Sequence, residues 1–329
     1  FVVNGQTITT SVPPNQKLMD FLRDDLGLVS VKNGCATGHC GTCTVIINGK
    51  AERSCLVLMK RVNGSVIETI ENLTPLEGLH PLQYSFIVEN AVQCGFCTPG
   101  MLLASKALLD QNPHPKEEEI RQGLKNNLCR CTGYTSIVRA VQNAGRLVEQ
   151  GTLMVPLEAL HQPGSQSGLM GVENPDKHAI DGVTGRIKYA GDLKPHHLLF
   201  GKIKYADLPS ARIVSINVEE AYRFPGVHLV LTGDDMAGTN LVGILRRDQP
   251  AIVKKHVRSV GDIVAVVFAD SETLAEQAIA ALQVVYEPLP AIFSPQEAMQ
   301  TDAPRLHASG NICHKSFLKR GDVESAFQE

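Results

Sequence analysis

Eight of the nine cysteines fall in two groups within the first 131 residues. Cys35, Cys40, Cys43 and Cys55 read C-x4-C-x2-C, with a fourth cysteine twelve positions further on. Cys94, Cys97, Cys129 and Cys131 read C-x2-C, a gap, then C-x-C. Thiolates are soft, charged ligands, and pairs this close in sequence can both point at one centre. The first spacing is that of a loop that holds a two-iron, two-sulfide cluster. Two four-thiolate sites therefore point to a chain that moves electrons one at a time.

Two other uses of these thiols fit less well. Zinc sites usually show two C-x2-C pairs, which the first group does not form, while the helical second group alone leaves zinc open. A disulfide framework suits small secreted domains, whereas this arrangement suits thiols kept reduced in a cytoplasmic setting, the expected localisation. Net charge is −3, so neither nucleic acid nor a charged membrane surface is implied as a partner. The absence of Trp and the 5% aromatic content argue against a base-stacking surface. The longest apolar run, Ile263–Ala269, is far too short to span a bilayer. The chain opens on Phe1 and shows no basic segment followed by an apolar run, so no secretory leader is expected.

The elements that must hold these cysteines can be read from pattern. Residues 1 to 9 read strand, Asn4-Gly5 turn, strand. Leu18, Phe21, Leu22 and Leu26 recur at helical spacing, with Gly27 as the C-cap. The loop of residues 33 to 43 carries Gly34, Gly38 and Gly41 among three cysteines, which lets backbone N–H groups approach the sulfurs. Residues 44 to 50 read as strand and turn, and Cys55 leads into the apolar stretch Leu56-Val57-Leu58-Met59. A β-grasp ferredoxin-like domain is expected over residues 1 to 75. Residues 76 to 150 turn helical, with helices at 81–91, 99–111, 117–127 and 135–150. Antiparallel packing of such a four-helix bundle would bring the two cysteine-bearing loops to one end. Thr98-Pro99 and Thr132 read as N-cap signals directly after the cysteines.

Residues 151 to 178 form the expected linker, with Pro156, Pro163, Gly164, Gly168 and Gly171. A third, α+β domain is expected over residues 179 to 300. Strand-like runs stand at 198–205, 213–218, 227–232, 263–269 and 282–286, with a helix at 273–281. Residues 243 to 247 read as loop scaffold, and Cys313 as an isolated buried thiol.

The strings Gln93-Cys94-Gly95-Phe96-Cys97-Thr98-Pro99-Gly100 and Leu128-Cys129-Arg130-Cys131-Thr132-Gly133-Tyr134 resemble the signature of the molybdenum hydroxylases. This is the xanthine dehydrogenase and aldehyde oxidoreductase family. Asn33-Gly34-Cys35 through Gly41-Thr42-Cys43 resembles its first cluster loop. The resemblance implies that Cys94, Cys97, Cys129 and Cys131 hold a 2Fe–2S cluster proximal to a molybdopterin. Cys35, Cys40, Cys43 and Cys55 would hold the distal 2Fe–2S cluster, and Gln93 would contact the pterin. Asp181-Gly182-Val183-Thr184-Gly185, Phe224-Pro225-Gly226-Val227 and Val285-Tyr286-Glu287-Pro288-Leu289-Pro290 resemble the family's α/β hammerhead domain. Residues 301 to 329 then resemble the incomplete start of the molybdopterin-binding region.

By that resemblance no catalytic residue is expected among these residues. The molybdopterin, as its cytosine dinucleotide, would lie in a further region of a longer chain or in a partner chain. Residue 150 runs toward the hammerhead with no FAD domain between, as in the flavin-less members. The implied partners are the molybdopterin-binding region or subunit, a flavin subunit or soluble electron acceptor, and a small-molecule substrate, within an oligomer. The implied reaction is oxidative hydroxylation of a purine, by domain order. Oxidation of aldehydes is the alternative, and a stand-alone electron-transfer subunit a further one.

Overall fold

The computed structural model describes residues 1–160, 176–244 and 246–328. Pro163, Gly164, Gly168 and Gly171 of the expected linker, and residue 245 of the 243–247 loop, lie outside the described residues. The chain forms two compact units, Phe1–Leu193 and Lys194–Glu329. The α+β class expected from sequence is present in both.

The first unit begins with a five-stranded sheet of order β2-β1-β5-β3-β4. Its strands are β1 (Val2–Val3), β2 (Gln6–Thr7), β3 (Thr44–Ile47), β4 (Lys50–Arg53) and β5 (Val66–Glu68). Asn4-Gly5 and Asn48-Gly49 all adopt positive φ, from 49° to 78°, and close the two hairpins as the expected tight turns. β5 lies parallel to β1 and antiparallel to β3, so the sheet closes across the long crossover that carries the first cysteine loop. Helix α1 (Leu18–Asp20) continues as a π-helical turn, Phe21–Asp25, before Gly27 reverses the chain. Leu18, Met19, Phe21 and Leu22 bury themselves with Val3, Val45 and Ile67. That is the period-2 face of the sheet meeting the apolar stripe of the helix.

A short helix α2 (Ile70–Leu73) leads to α3 (Pro81–Val88), α4 (Thr98–Leu109), α5 (Glu117–Gly123) and α6 (Thr135–Glu149). α3 packs on α6, and α4 packs on β3 and α5. Ile46 alternates away from Val45 and joins the helical core with Leu82, Phe86, Leu102 and Val141. The sheet and the helices thus share one strand, β3, as their common wall. Helix α7 (Ala179–Val183) packs on α3 and α4, and residues up to Leu193 fold with this first unit. The sequence had grouped residues 179–193 with the following domain.

The described residues of the second unit hold two three-stranded sheets and one two-stranded sheet. Its elements are β6 (Phe200–Tyr205), β7 (Ala211–Asn217), α8 (Glu219–Tyr222), β8 (Val227–Thr232), β9 (Leu241–Val242), β10 (Gln249–Pro250), β11 (His256–Val257), β12 (Ile263–Ala269), α9 (Glu272–Ala281) and β13 (Gln283–Pro288). β12 lies between β6 and β8, and β7 lies between β11 and β13. The continuous apolar run of β12 reflects burial of Val264, Ala265, Val267 and Ala269 on both faces. Ser271 caps α9 by accepting the Leu274 N–H at 3.2 Å, and Ala275 and Ala278 face the core. Cys313 is exposed, contrary to the buried thiol expected. It sits in an irregular stretch, residues 311–320, where no strand or helix offers a face to pack against.

One polar device inside the first unit sets a pH response. His80 caps α3: its Nδ1 accepts the Leu82 N–H at 3.1 Å, and Gln83 closes the box on the His80 N–H at 3.0 Å. Burial, with Lys106 adding to it, pushes the imidazole pKa from 6.5 down to about 4. The unfolded chain therefore binds the proton first as pH falls. The stability contributed by neutral His80 is fully present above pH 6.5 and is lost between 6.5 and about 4. His80→Ala is expected to lower stability by about 1 kcal/mol at pH 7.5 and to flatten the pH dependence across that window. Denaturant unfolding at several pH values measures both, and an unchanged pH profile would contradict the assignment.

Candidate metal centres

The first thiol set is built by the β3–β4 hairpin and the loop before it. The hairpin register pairs Thr44 with Arg53, so Cys43 and Ser54 sit at the same open end. Ser54 then donates twice to the Cys43 carbonyl, N–H at 3.2 Å and Oγ at 2.7 Å. This brings Cys55, in the 3-10 turn Ser54–Leu56, beside Cys43, and both are buried. Cys35 and Cys40 are half-buried in the loop. The Cys35 sulfur accepts backbone N–H groups from Thr37 at 3.5 Å, His39 at 3.3 Å and Cys40 at 3.4 Å. Arg53 donates to the Gly38 carbonyl at 2.5 Å, and Lys17 to the Ala36 carbonyl at 3.1 Å, which holds the loop over the sheet.

These surroundings split the thiols. Hydrogen bonds from Thr37, by side chain and backbone, together with the Cys40 N–H, pull the Cys35 pKa down to about 5. Burial, with the neighbouring Cys43 thiol, pushes Cys55 up to about 11. A converging set of N–H donors around one sulfur is what a negatively charged centre requires, and what tunes it once bound.

The second set is built by helix ends. Cys94 lies in the turn between α3 and α4, and Cys97 directly precedes α4. Cys129 and Cys131 lie between α5 and α6. The bundle brings the two loops together as expected: the Cys131 and Cys94 sulfurs stand 3.6 Å apart, and Cys97 contacts Cys129. The Cys94/Cys131 pair is exposed, while Cys129 is buried. Burial raises the Cys94 and Cys97 pKa values. Burial acts upward on Cys129, but hydrogen bonds from Thr132, the Cys131 backbone and Cys97 together outweigh it and leave that thiol lowered.

The expected N-caps are shifted. The cap of α4 is Cys97 itself, with Thr98 already inside the helix and no side-chain cap bond formed. The cap of α6 is Tyr134, in the left-handed conformation. Thr132 lies too early to cap α6, and instead its Oγ stands 3.2 Å from the Cys129 sulfur. In both places the hydroxyl that could cap a helix lies beside a cysteine loop.

The two thiol sets meet. The Leu128 N–H donates to the Cys40 carbonyl at 2.9 Å, one residue before Cys129. The Asn127 side-chain amide donates to the Gly41 carbonyl at 3.0 Å and to Thr44 Oγ1 at 3.1 Å. The Tyr134 hydroxyl accepts the Cys129 N–H at 2.8 Å and donates to the Asn127 carbonyl at 3.2 Å. Sequence reasoning missed Asn127 as a functional position and read Tyr134 only as part of a motif. Their roles depend on contacts 83 and 86 positions apart in one case and on a turn within five residues in the other. Gln93 is exposed, next to Cys94.

Among the described residues no three His, Cys, Asp or Glu side chains gather tightly enough for a single metal ion. The eight thiols stand as neighbouring pairs, Cys35 with Cys40, Cys43 with Cys55, Cys94 with Cys131 and Cys97 with Cys129. A centre with two metal atoms, each taking one thiolate pair, fits that donor set better than a mononuclear zinc site.

Gly41 is where the interlock tolerates nothing larger. Its φ is +68°, and a Cβ there would lie 2.0 Å from the Asn126 carbonyl oxygen, a backbone atom that cannot swing aside. Gly41→Ala is expected to destabilise the first unit by more than about 2 kcal/mol. Equilibrium denaturation checks it, and an unshifted midpoint would contradict the tight approach.

Comparison with known proteins matches the 2Fe-2S iron-sulfur cluster binding domain over residues 1–64 and the [2Fe-2S] binding domain over 69–142. The aldehyde oxidase and xanthine dehydrogenase a/b hammerhead domain matches residues 184–290. An aldehyde oxidoreductase of Megalodesulfovibrio gigas is 37% identical over 97% of this chain, and the chain spans 37% of that protein. A nicotinate dehydrogenase small FeS subunit of Eubacterium barkeri is 48% identical over 43% of this chain and 90% of its own length. The solved structure of the aldehyde oxidoreductase from Desulfovibrio gigas superposes with a TM-score of 0.85 at 36% identity. That superposition covers 93% of this chain and 35% of that one.

Proposed function

The chain belongs to the aldehyde oxidoreductase and xanthine dehydrogenase family of molybdenum hydroxylases, and on that footing we propose that it is the electron-transfer and scaffold part of such an enzyme. Cys94, Cys97, Cys129 and Cys131 would hold the cluster proximal to the molybdopterin. Cys35, Cys40, Cys43 and Cys55 would hold the distal one. The observation that carries this reading is the meeting of the two thiol sets through the Cys40 carbonyl and the Leu128 N–H. When bound, each 2Fe–2S cluster supplies reversible one-electron transfer.

The residues of the chain do the rest. The N–H groups of Thr37, His39 and Cys40 offset negative charge at Cys35. Tyr134 and Thr132 hold Cys129 in place from the helical side. Asn127 keeps the two loops in register, so that clusters held there would be joined by a hydrogen-bonded stretch of protein. Gln93, exposed beside Cys94, is the residue we assign to the pterin contact. The molybdopterin would sit in a further region or subunit, with electrons leaving the distal cluster to an external acceptor.

The domain order first suggested a purine substrate. That same order is shared with an aldehyde oxidoreductase along 97% of this chain, and this likeness favours aldehyde oxidation. Paramagnetic resonance of the dithionite-reduced protein is expected to show two distinct 2Fe–2S signals. Cys43→Ser should remove the distal signal and leave the proximal one. A single signal in the unmodified protein would contradict the proposal. In the assembled enzyme, turnover of an aldehyde in preference to a purine tests the substrate reading.

A further inference from the structure

We propose that residues 187–192 act as a strap that sets the position of the Cys94–Cys97 turn, with Asp192 as its anchor and Tyr189 as its positioning residue. The inference rests on the iron–sulfur reading above and adds residues outside both cysteine motifs to it. The anchor is a buried ionic cluster. The Asp192 carboxylate accepts Arg23 Nη2 at 2.7 Å and Lys32 Nζ at 2.7 Å. The three side chains are 4%, 11% and 1% exposed, in that order. Lys32 Nζ also donates to the Ile187 carbonyl at 2.9 Å, and the Tyr189 N–H donates to Asp192 Oδ2 at 3.0 Å. A buried cluster of this kind adds little net stability, but breaking it is costly, so it fixes one geometry.

From that anchor the strap reaches the helical thiol set. The Tyr189 hydroxyl donates to the Cys94 carbonyl at 2.6 Å. Its ring meets Phe96 edge-on, with centroids 5.0 Å apart and planes at 76°. Lys32 Nζ lies 4.7 Å from the centre of the same ring, on its electron-rich face. A Cβ on Gly95 would come within 2.9 Å of Ile187 Cδ1 and 3.0 Å of the Tyr189 hydroxyl, so the turn lies flush against the strap. The other end of the network reaches the first thiol set. Arg23 donates to the Val31 carbonyl at 2.7 Å, and the Lys32 carbonyl accepts Thr42 Oγ1, which stands 3.3 Å from the Cys40 sulfur.

The strap acts where the site needs support. Cys129 is held from within by Tyr134 and Thr132, whereas Cys94 and Cys131 are exposed. Tyr189 holds the Cys94 side of that exposed pair, through the Cys94 carbonyl and the Phe96 ring. Its O–H dipole also points toward the turn that would carry negative charge, which favours the reduced state of a cluster held there.

The test uses the full polypeptide as purified with its clusters. Redox titration followed by paramagnetic resonance, and iron release to an excess of ferrous chelator, are measured for the unmodified protein and for Tyr189→Phe. In the variant, the reduced-to-oxidised ratio of the helical-site cluster at fixed potential is expected to fall about threefold, roughly 28 mV at 59 mV per tenfold. Its iron release should quicken about threefold, with the other cluster unmoved in both measurements. Asp192→Asn should speed the same iron release. Should that variant fail to fold, Tyr189→Phe, which removes one oxygen and keeps the ring, still decides. Unchanged potential and release in Tyr189→Phe, or equal changes at both clusters, would overturn the strap. An unmodified protein without two cluster signals would instead overturn the iron–sulfur reading itself.

Discussion

The structure of the first unit depends on one interlock, the backbone hydrogen bond from Leu128 to the Cys40 carbonyl with the Asn127 side chain locked on Gly41. Without it, two cysteine loops from differently built domains would have no reason to face each other. β3 makes the approach possible because its two faces serve two cores, Val45 toward α1 and Ile46 toward the helices. α4 then runs against β3. A Cβ on Gly100 would lie 2.6 Å from the Gly41 carbonyl oxygen, so the helix that starts after Cys97 touches the loop that ends at Cys43.

Around that interlock the protein solves two electrostatic problems differently. The first thiol set is wrapped by backbone N–H groups converging on Cys35, and its second pair is sunk in the sheet core. The second set relies on side-chain hydroxyls, with Thr132 at the Cys129 sulfur and Tyr134 at the Cys129 N–H. In the first set donors converge on a sulfur, and in the second Thr132 stands at the Cys129 sulfur while Tyr134 holds the backbone around it. The second unit, taken by itself, builds two small apolar clusters, one around β12 and α9 and one around Ala211, Val257 and Val264.

Much of this was legible in the sequence because it is local. Cysteine spacing, the Asn-Gly turns and the helical composition of α3 to α6 depend on neighbours within a few positions. The convergence of Cys94 with Cys131 also followed, since antiparallel helices leave few places for their loops. What was not legible is tertiary. Thr98 and Thr132 have cap chemistry, yet the caps are Cys97 and Tyr134, and the Thr132 hydroxyl is taken up at the Cys129 sulfur. By sequence, residues 179–193 read with the next domain, whose family match begins at residue 184, and in space they pack within the first unit. They are held there by the packing of α7 on α3 and α4 and by the buried pairing of Asp192 with Arg23 and Lys32, 169 and 160 positions away. Cys313 looked buried from composition alone, and its irregular surroundings leave it exposed.

The central claim is that eight thiols in two linked sets hold two two-iron clusters. Iron and acid-labile sulfide per polypeptide, measured on protein purified without oxygen, test it most directly. The account expects about four of each per chain, with both lost together on acid treatment. Zinc in place of iron, or iron without labile sulfide, would contradict it.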